Sequence, residues 1–286
     1  MGLDWRHGTA GMSGDAHPAL PADHPCWRRD DPAAFEAAAL AFLSAGLAAG
    51  EQVWYVTERD AAAVESWLRA VPGFDDALRS GAARVVPLGG TYVEDRVADV
   101  AAQVRAYAEA TGAALAAGHT GLRVVAEATG LVRTPAQRRA FTRYEHLIDR
   151  YMRTHPFSAM CVYDPAVLGE QAVAELACLH PGGNAEGVLF RLYAADRGRA
   201  GLAGELDQST HDLFALALDR ADPRPVDGRL VIEASHLRFV DHRSLLLLRD
   251  HARRQGAVAV LRAAGPGVAR LVALLDLPDL RVEVVG

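Results

Sequence analysis

The chain has 286 residues, a formal net charge of −6 and a hydrophobic fraction of 50%. That length suits about two domains with packed cores, and with no basic run the chain is not expected to bind nucleic acid, which needs clustered positive charge. All 30 basic residues are arginine, which excludes lysine Schiff-base chemistry and a Walker A lysine.

Residues 1–22, rich in Gly, Pro, His and Asp, read as a loose tail without the apolar core of a signal peptide. No apolar run reaches membrane-spanning length. Three cysteines, Cys26, Cys161 and Cys178, form no CxxC pair and no disulfide framework. A cytoplasmic protein that binds no membrane is expected.

Asp31-Pro32 reads as an N-cap followed by proline at the first helical position. Phe35, Ala39, Phe42, Leu43, Gly46 and Leu47 then repeat at helical spacing until Gly50. "QVWYVT" (52–57) is a buried strand, and Asp60 caps a helix through Val64, Trp67 and Leu68. "ARVVPL" (83–88) is a strand, followed by a long helix presenting Val97, Val100, Val104 and Tyr107. "LRVVAEAT" (122–129) is a strand, Pro135 opens a helix through Met152, "SAMCVY" (158–163) is a strand, and a helix through Leu168 and Leu176 closes the unit. Strands alternating with helices predict an α/β fold with a mostly parallel sheet covered on both faces. The stretch 181–187, inside "HPGGNAEG", reads as a linker. Beyond it, over 188–286, two successive strands precede helix (209–221), strand (229–234), helix (242–255), strand (257–262), helix (266–276) and strand (281–285). This predicts a second α/β domain of ordinary size with a mixed sheet.

Ligands of a parallel α/β sheet sit beyond the carboxyl ends of the strands. Glu58, Arg59, Glu127 and Tyr163 fall at such ends, and His24 and Cys26 fall where a phosphate loop would cap the same crevice. Tyr144 and Glu145 are further ligand candidates, although helical periodicity equally allows core for the first and solvated face for the second. Glu127 can equally pair with Arg123 or a helix N-terminus. His24, Cys26, Cys161, Cys178 and His180 are all of metal-binding type, but their spacing matches no standard zinc pattern. Cys161, inside an apolar strand, reads as a buried inert thiol. His24 with Cys26 stays open as a metal or redox-sensing pair.

"FEAAALAFLSAGLAAGEQVWYVTERD" resembles the first helix and second strand of RecA/KaiC-type ATPases, and "RVVAEATG" resembles their Walker B strand, with Glu127 at the acid. The segment before the helix, "HPCWRRDD", has no glycine cradle. The resemblance therefore implies a RecA-like scaffold with a degenerate P-loop, ATP unlikely as a ligand and no enzyme activity. A closer resemblance, over 23–180, is to the MEDS domain, a sensory domain of methanogens and methylotrophs. It rests on "DHPCW", "FLSAGLAAGEQVWYVT", "VVAEAT", "TRYEHLID" and "CVYD", and it implies a small-molecule ligand without naming it.

"LAGELDQST" (202–210), "RLVIEASHLRFVDHRSLLLL" (229–248) and "GVARLVALLDLPDLRVEV" (267–284) resemble the STAS domain of anti-sigma factor antagonists. The resemblance implies a protein partner such as an anti-sigma factor or a switch kinase. It places Asp207, Asp241, His242, Arg243 and Ser244 at the partner face. The two hydroxyl positions of that family's turn are here His242 and Arg243, with Ser244 where glycine is usual, so the phosphorylation switch of the family is in doubt. Asp241 reads as the N-cap of the following helix.

The whole chain is read as a sensor–regulator. The alternatives are an interaction scaffold with vestigial pockets, or an enzyme using Glu58 and Glu127 as acid and base with His24 or Cys26. Ala/Leu-rich helix faces allow a homodimer without requiring one.

Overall fold

The computed structural model describes residues 23–91, 99–185 and 187–285. The expected tail and Val97 lie outside the described residues. The first unit runs β1 (Pro25–Arg28), α1 (Pro32–Ala48), β2 (Gln52–Thr57), α2 (Ala61–Arg69), α3 (Phe74–Ser80), β3 (Ala83–Pro87), α4 (Leu88–Thr91), α5 (Val100–Ala116), β4 (Leu122–Glu127), α6 (Pro135–Met152), β5 (Phe157–Tyr163), α7 (Pro165–Leu168), α8 (Glu170–Ala177) and β6 (Gly182–Gly183). Its strands form one sheet in the order β3-β2-β4-β5-β1-β6, every pairing parallel.

Local chemistry sets the helix starts. Asp31 and Asp60 accept from the amides of Ala33 and Ala62, and Thr134 with Gln137 forms a reciprocal capping box ahead of Pro135. Alternation along the strands then divides the core in two. Val125, Met160 and Val162 face Phe35, Leu43, Val64 and Phe74 on one side of the sheet. Val124, Ala126, Cys161 and Tyr163 face Tyr107, Phe141, Tyr144 and Leu176 on the other. Strand β5 is buried at every position, as a strand covered on both faces must be.

The second unit runs β7 (Phe190–Ala194), β8 (Ala200–Leu206), α9 (His211–Ala221), β9 (Arg229–Ala234), β10 (Leu237–Val240), α10 (His242–Arg254), β11 (Val258–Ala263), α11 (Pro266–Leu274) and β12 (Leu280–Val284). Its sheet is mixed: β7 lies antiparallel to β8, and β10-β8-β9-β11-β12 are parallel.

Four local expectations change. "PCWR", read as a loop over the crevice, is strand β1, with Cys26 opposite Cys161 of β5. The closing helix is broken at Gly169, whose φ of +81° separates α7 from α8. A short helix, α3, follows α2 and buries Phe74. The stretch 181–187 contributes β6, whose Gly183 has φ +142° and lies so close to β1 that a Cβ would fall 1.9 Å from the Cys26 carbonyl oxygen. Asn184 then accepts from the Arg28 amide and donates to its carbonyl.

The two units pack together. One side of α6 covers β5, and α6 also packs on β7 and α9. Glu175 of α8 holds Arg220 of α9 at 2.8 Å with both side chains buried, and Arg143 donates to the Ala221 carbonyl at 2.6 Å.

Candidate functional site

Strands β2 and β4 end side by side, which brings Glu58 and Arg59 next to Glu127. Glu127 is 4% exposed, and donors surround both of its oxygens. Oε1 accepts from Tyr55 OH at 3.0 Å and faces Arg59 Nε at 2.9 Å. Oε2 accepts from Thr57 Oγ1 at 2.6 Å and from the Glu58 amide at 3.3 Å. Arg59 also donates to Tyr55 OH, and Arg29, at the end of β1, stands 3.9 Å from Glu127 and 2.7 Å from Asp164. The alternative pairing of Glu127 with Arg123 does not occur, because Arg123, at the start of β4, binds Glu51. Glu58 accepts from the Gly130 amide. Burial raises its carboxyl above the ordinary range, and Glu127 raises it further, against the Gly130 bond. Tyr55 and Thr57 were missed as site residues. Strand alternation in "QVWYVT" was the available signal, since it puts both on the face that meets Glu127.

His24 and Cys26 do not cap this crevice. The Asp23 carbonyl accepts from the Ala159 amide, so His24 enters the sheet beside the first half of β5. There it belongs to a second, fully buried cluster with Glu145, Cys161 and His180. His24 Nε2 lies 3.0 Å from Glu145 Oε2, and Cys161 Sγ lies 3.6 Å from each of these atoms. His180 Nε2 is 3.5 Å from Glu145 Oε2, and the two imidazole centroids are 4.3 Å apart. Tyr163, expected at the crevice, turns its hydroxyl inward and donates to Glu145 Oε1 at 2.6 Å. Glu145 is therefore no solvated face; it is 0% exposed. Tyr144 is core and packs against Phe141. Cys26 is buried on the neighbouring strand, outside the four-residue group.

Charge decides the protonation of this cluster. Burial would raise the Glu145 carboxyl, but His180 and His24 outweigh it and bring it down to about 2. Burial would lower His24, yet Asp149, Cys161 and Glu145 hold it well above its usual value. Burial and the charge of His24 push His180 down to about 4, and burial beside Glu145 pushes the Cys161 thiol up to about 12. The cluster also touches the second unit. Asp149 Oδ1 is 3.4 Å from His24 Nδ1, and Asp149 Oδ2 accepts from the Ala194 amide of β7.

In the second unit Asp241 is the N-cap of α10, accepting from the Ser244 amide at 2.8 Å. Its other oxygen lies 2.6 Å from His211 Nε2, a partner that sequence reading did not find. Partial burial would raise the Asp241 carboxyl, but these contacts hold it below its usual range. Asp207 caps the turn before α9, accepting from Ser209. His242 and Arg243 are exposed, while Ser244 is 1% exposed.

Among the described residues, no helix is long and apolar enough to cross a membrane. No curated protein matches the chain. Residues 23–181 match the family model MEDS, described as the methanogen/methylotroph, DcmR sensory domain, and that match covers more than half of the sequence, so the chain belongs to the MEDS family.

Proposed function

We propose that the protein is a signalling regulator without catalytic turnover. In this reading the MEDS domain senses a small molecule in the cytoplasm, and the second domain, STAS-like, engages a protein partner such as an anti-sigma factor. Membership of a sensory family supports the first half. The observation that carries the reading is the placement of α6. One helix holds Glu145 and Asp149 against the interior of the first domain and also packs on β7 and α9 of the second. A shift of α6 on ligand binding cannot leave the second domain untouched, because close-packed interfaces transmit small displacements.

The ligand crevice is the carboxyl end of the first sheet, bordered by Arg29, Glu58, Arg59 and Asp164 with Glu127 as its floor. The all-parallel strand order and the Glu127 position support a RecA-like scaffold. The turn from β1 to α1 is Arg29-Asp30-Asp31, without glycine or lysine, which argues against phosphate binding and ATP hydrolysis. In the second domain, the mixed sheet, the "GELD" strand end and the Asp241 cap support the STAS-like reading. There the exposed His242 and Arg243 form the partner face, and burial keeps Ser244 from a kinase.

Native mass spectrometry of the full chain, exchanged from lysate under mild conditions, tests the sensor half. The expected result is an organic adduct that is lost on denaturation and in Arg59→Ala. A native mass equal to the chain's own, also after incubation with a metabolite extract, would refute it.

A further inference from the structure

We propose that His24, Glu145, Cys161 and His180 together bind one divalent transition-metal ion of the zinc class, in a closed four-ligand site. Their ligand atoms all lie within 4.8 Å of one another. A tetrahedral site with zinc-type bond lengths has edges of about 3.3 Å between nitrogen or oxygen ligands and about 3.5 Å to sulphur. Four of the six separations, 3.0, 3.5, 3.6 and 3.6 Å, lie near those edges, and the two from His180 Nε2 to His24 and to Cys161 are within 4.8 Å.

The groups around the four ligands are oriented as metal ligands require. Both histidines turn Nε2 to the common point. His180 Nδ1 donates to the Leu176 carbonyl at 3.0 Å, and such an outer partner fixes the ring and tautomer of a ligating imidazole. His24 Nδ1 stands 3.4 Å from Asp149 Oδ1, an ion-pair contact outside hydrogen-bond geometry. Tyr163 occupies Glu145 Oε1 and leaves Oε2 to the cluster. The Leu176 carbonyl can only accept, so His180 Nδ1 carries the proton. His180 Nε2 is buried without a hydrogen-bond partner, and its lone pair faces the Glu145 carboxylate. A lone pair facing a carboxylate in a dry interior is unfavourable, and a cation shared by all four ligands relieves it. A second proton on His180 would set two imidazolium rings at a centroid distance of 4.3 Å, which like-charge repulsion opposes.

The charges also close. A divalent ion with one thiolate, one carboxylate and two neutral imidazoles is neutral, as burial favours. On loading, the Cys161 thiol proton and the proton on His24 Nε2 leave to solvent, which makes binding pH-dependent. Thiolate with imidazole selects zinc-like ions over magnesium or calcium. Four protein ligands leave no open position for substrate, so the site is structural or sensory rather than catalytic. It stands apart from the crevice, and its test does not depend on the small-molecule reading.

The test is Co2+ titration of the metal-freed full chain, alongside elemental analysis of protein purified without a histidine tag. We expect about one equivalent of ion, tetrahedral cobalt d–d bands and a near-ultraviolet thiolate-to-cobalt band. The thiolate band should vanish in Cys161→Ser and survive in Cys178→Ser, whose thiol is buried but outside the cluster. If Cys161→Ser does not fold, His180→Gln carries the test, with zinc affinity falling at least about tenfold. Folded wild type that binds neither zinc nor cobalt at micromolar concentration would overturn the proposal. So would a thiolate band that persists in Cys161→Ser, or unchanged zinc affinity in His180→Gln.

Discussion

Glu127→Gln isolates what the crevice floor contributes. Each Glu127 oxygen faces an N–H that cannot reverse: Arg59 Nε stands 2.9 Å from Oε1, and the Glu58 amide donates to Oε2. A glutamine amide group placed on either side meets one of them N–H to N–H, so flipping the side chain moves the conflict without removing it. The change also removes the ion pair with Arg59, whose side chain is 42% exposed and whose contribution is therefore about 0.2–1 kcal/mol, and leaves one buried donor unpaired at about 1–3 kcal/mol. Tyr55 and Thr57 can rotate their hydroxyls and recover part of this. A net loss of about 2 kcal/mol is expected, which lowers Tm by about 4–6 °C in a chain of this size. Urea unfolding followed by far-ultraviolet circular dichroism, with Glu127→Ala and Arg59→Ala for comparison, gives the number. A Glu127→Gln stability within about 0.5 kcal/mol of wild type would refute the clamp and return Glu127 to the status of a free acid.

Three further outcomes are expected. Gly204 in "LAGELD" has φ +90°, and a Cβ there would fall 2.1 Å from the Leu189 carbonyl oxygen, so Gly204→Ala should cost about 3 kcal/mol or more by thermal unfolding. Burial holds His251 below its ordinary pKa. The unfolded chain therefore takes up a proton that the folded chain refuses, and stability falls as pH drops below about 6.5; urea midpoints between pH 7.5 and 5.5, on the order of one step per half unit, should decline less steeply in His251→Gln. With Arg243 exposed and Ser244 buried, Arg243→Ala should weaken partner binding about tenfold. Ser244→Ala should leave binding unchanged, and mass mapping after incubation with switch kinases should find no phosphate at 244.

The strands and most helices were legible because their signals are local. A short continuous apolar run, N-cap aspartates and proline at the first helical turn specify β2, α1, α6 and α10 without reference to the rest of the chain. Strand β1 was not legible. Its four residues, Pro25 to Arg28, carry no alternation long enough to read, and only pairing with β5 and β6 makes them a strand. The same cause hid the buried cluster. His24, Glu145, Cys161 and His180 come from four separate segments, the turn before β1, α6, β5 and the turn after α8, and none of their spacings resembles a sequence motif; the sheet order brings them together. Cys26 drew attention by lying two residues from His24, yet Cys161, opposite it on the neighbouring strand, joins the cluster. Glu145 looked equally fit for a solvated helix face, since periodicity marks a face as polar without saying what covers it. At the crevice, Glu58, Arg59 and Glu127 were legible from strand ends alone, and Arg29 lies in the segment 24–30 expected to border it, of which β1 carries His24 and Cys26 away.

Hydrogen exchange followed across the full chain tests the central claim, that a change in the first domain reaches the second through α6. The chain as purified from lysate is compared with the same chain after its bound small molecule has been stripped. The account predicts faster exchange on stripping in β7 and α9 as well as around Glu58, Arg59 and Glu127, because α6 packs on β7 and α9 and also on β5 and the turn Thr129–Leu131 that follows Glu127. Exchange changes confined to residues 23–185, with β7 and α9 unaltered, would contradict it.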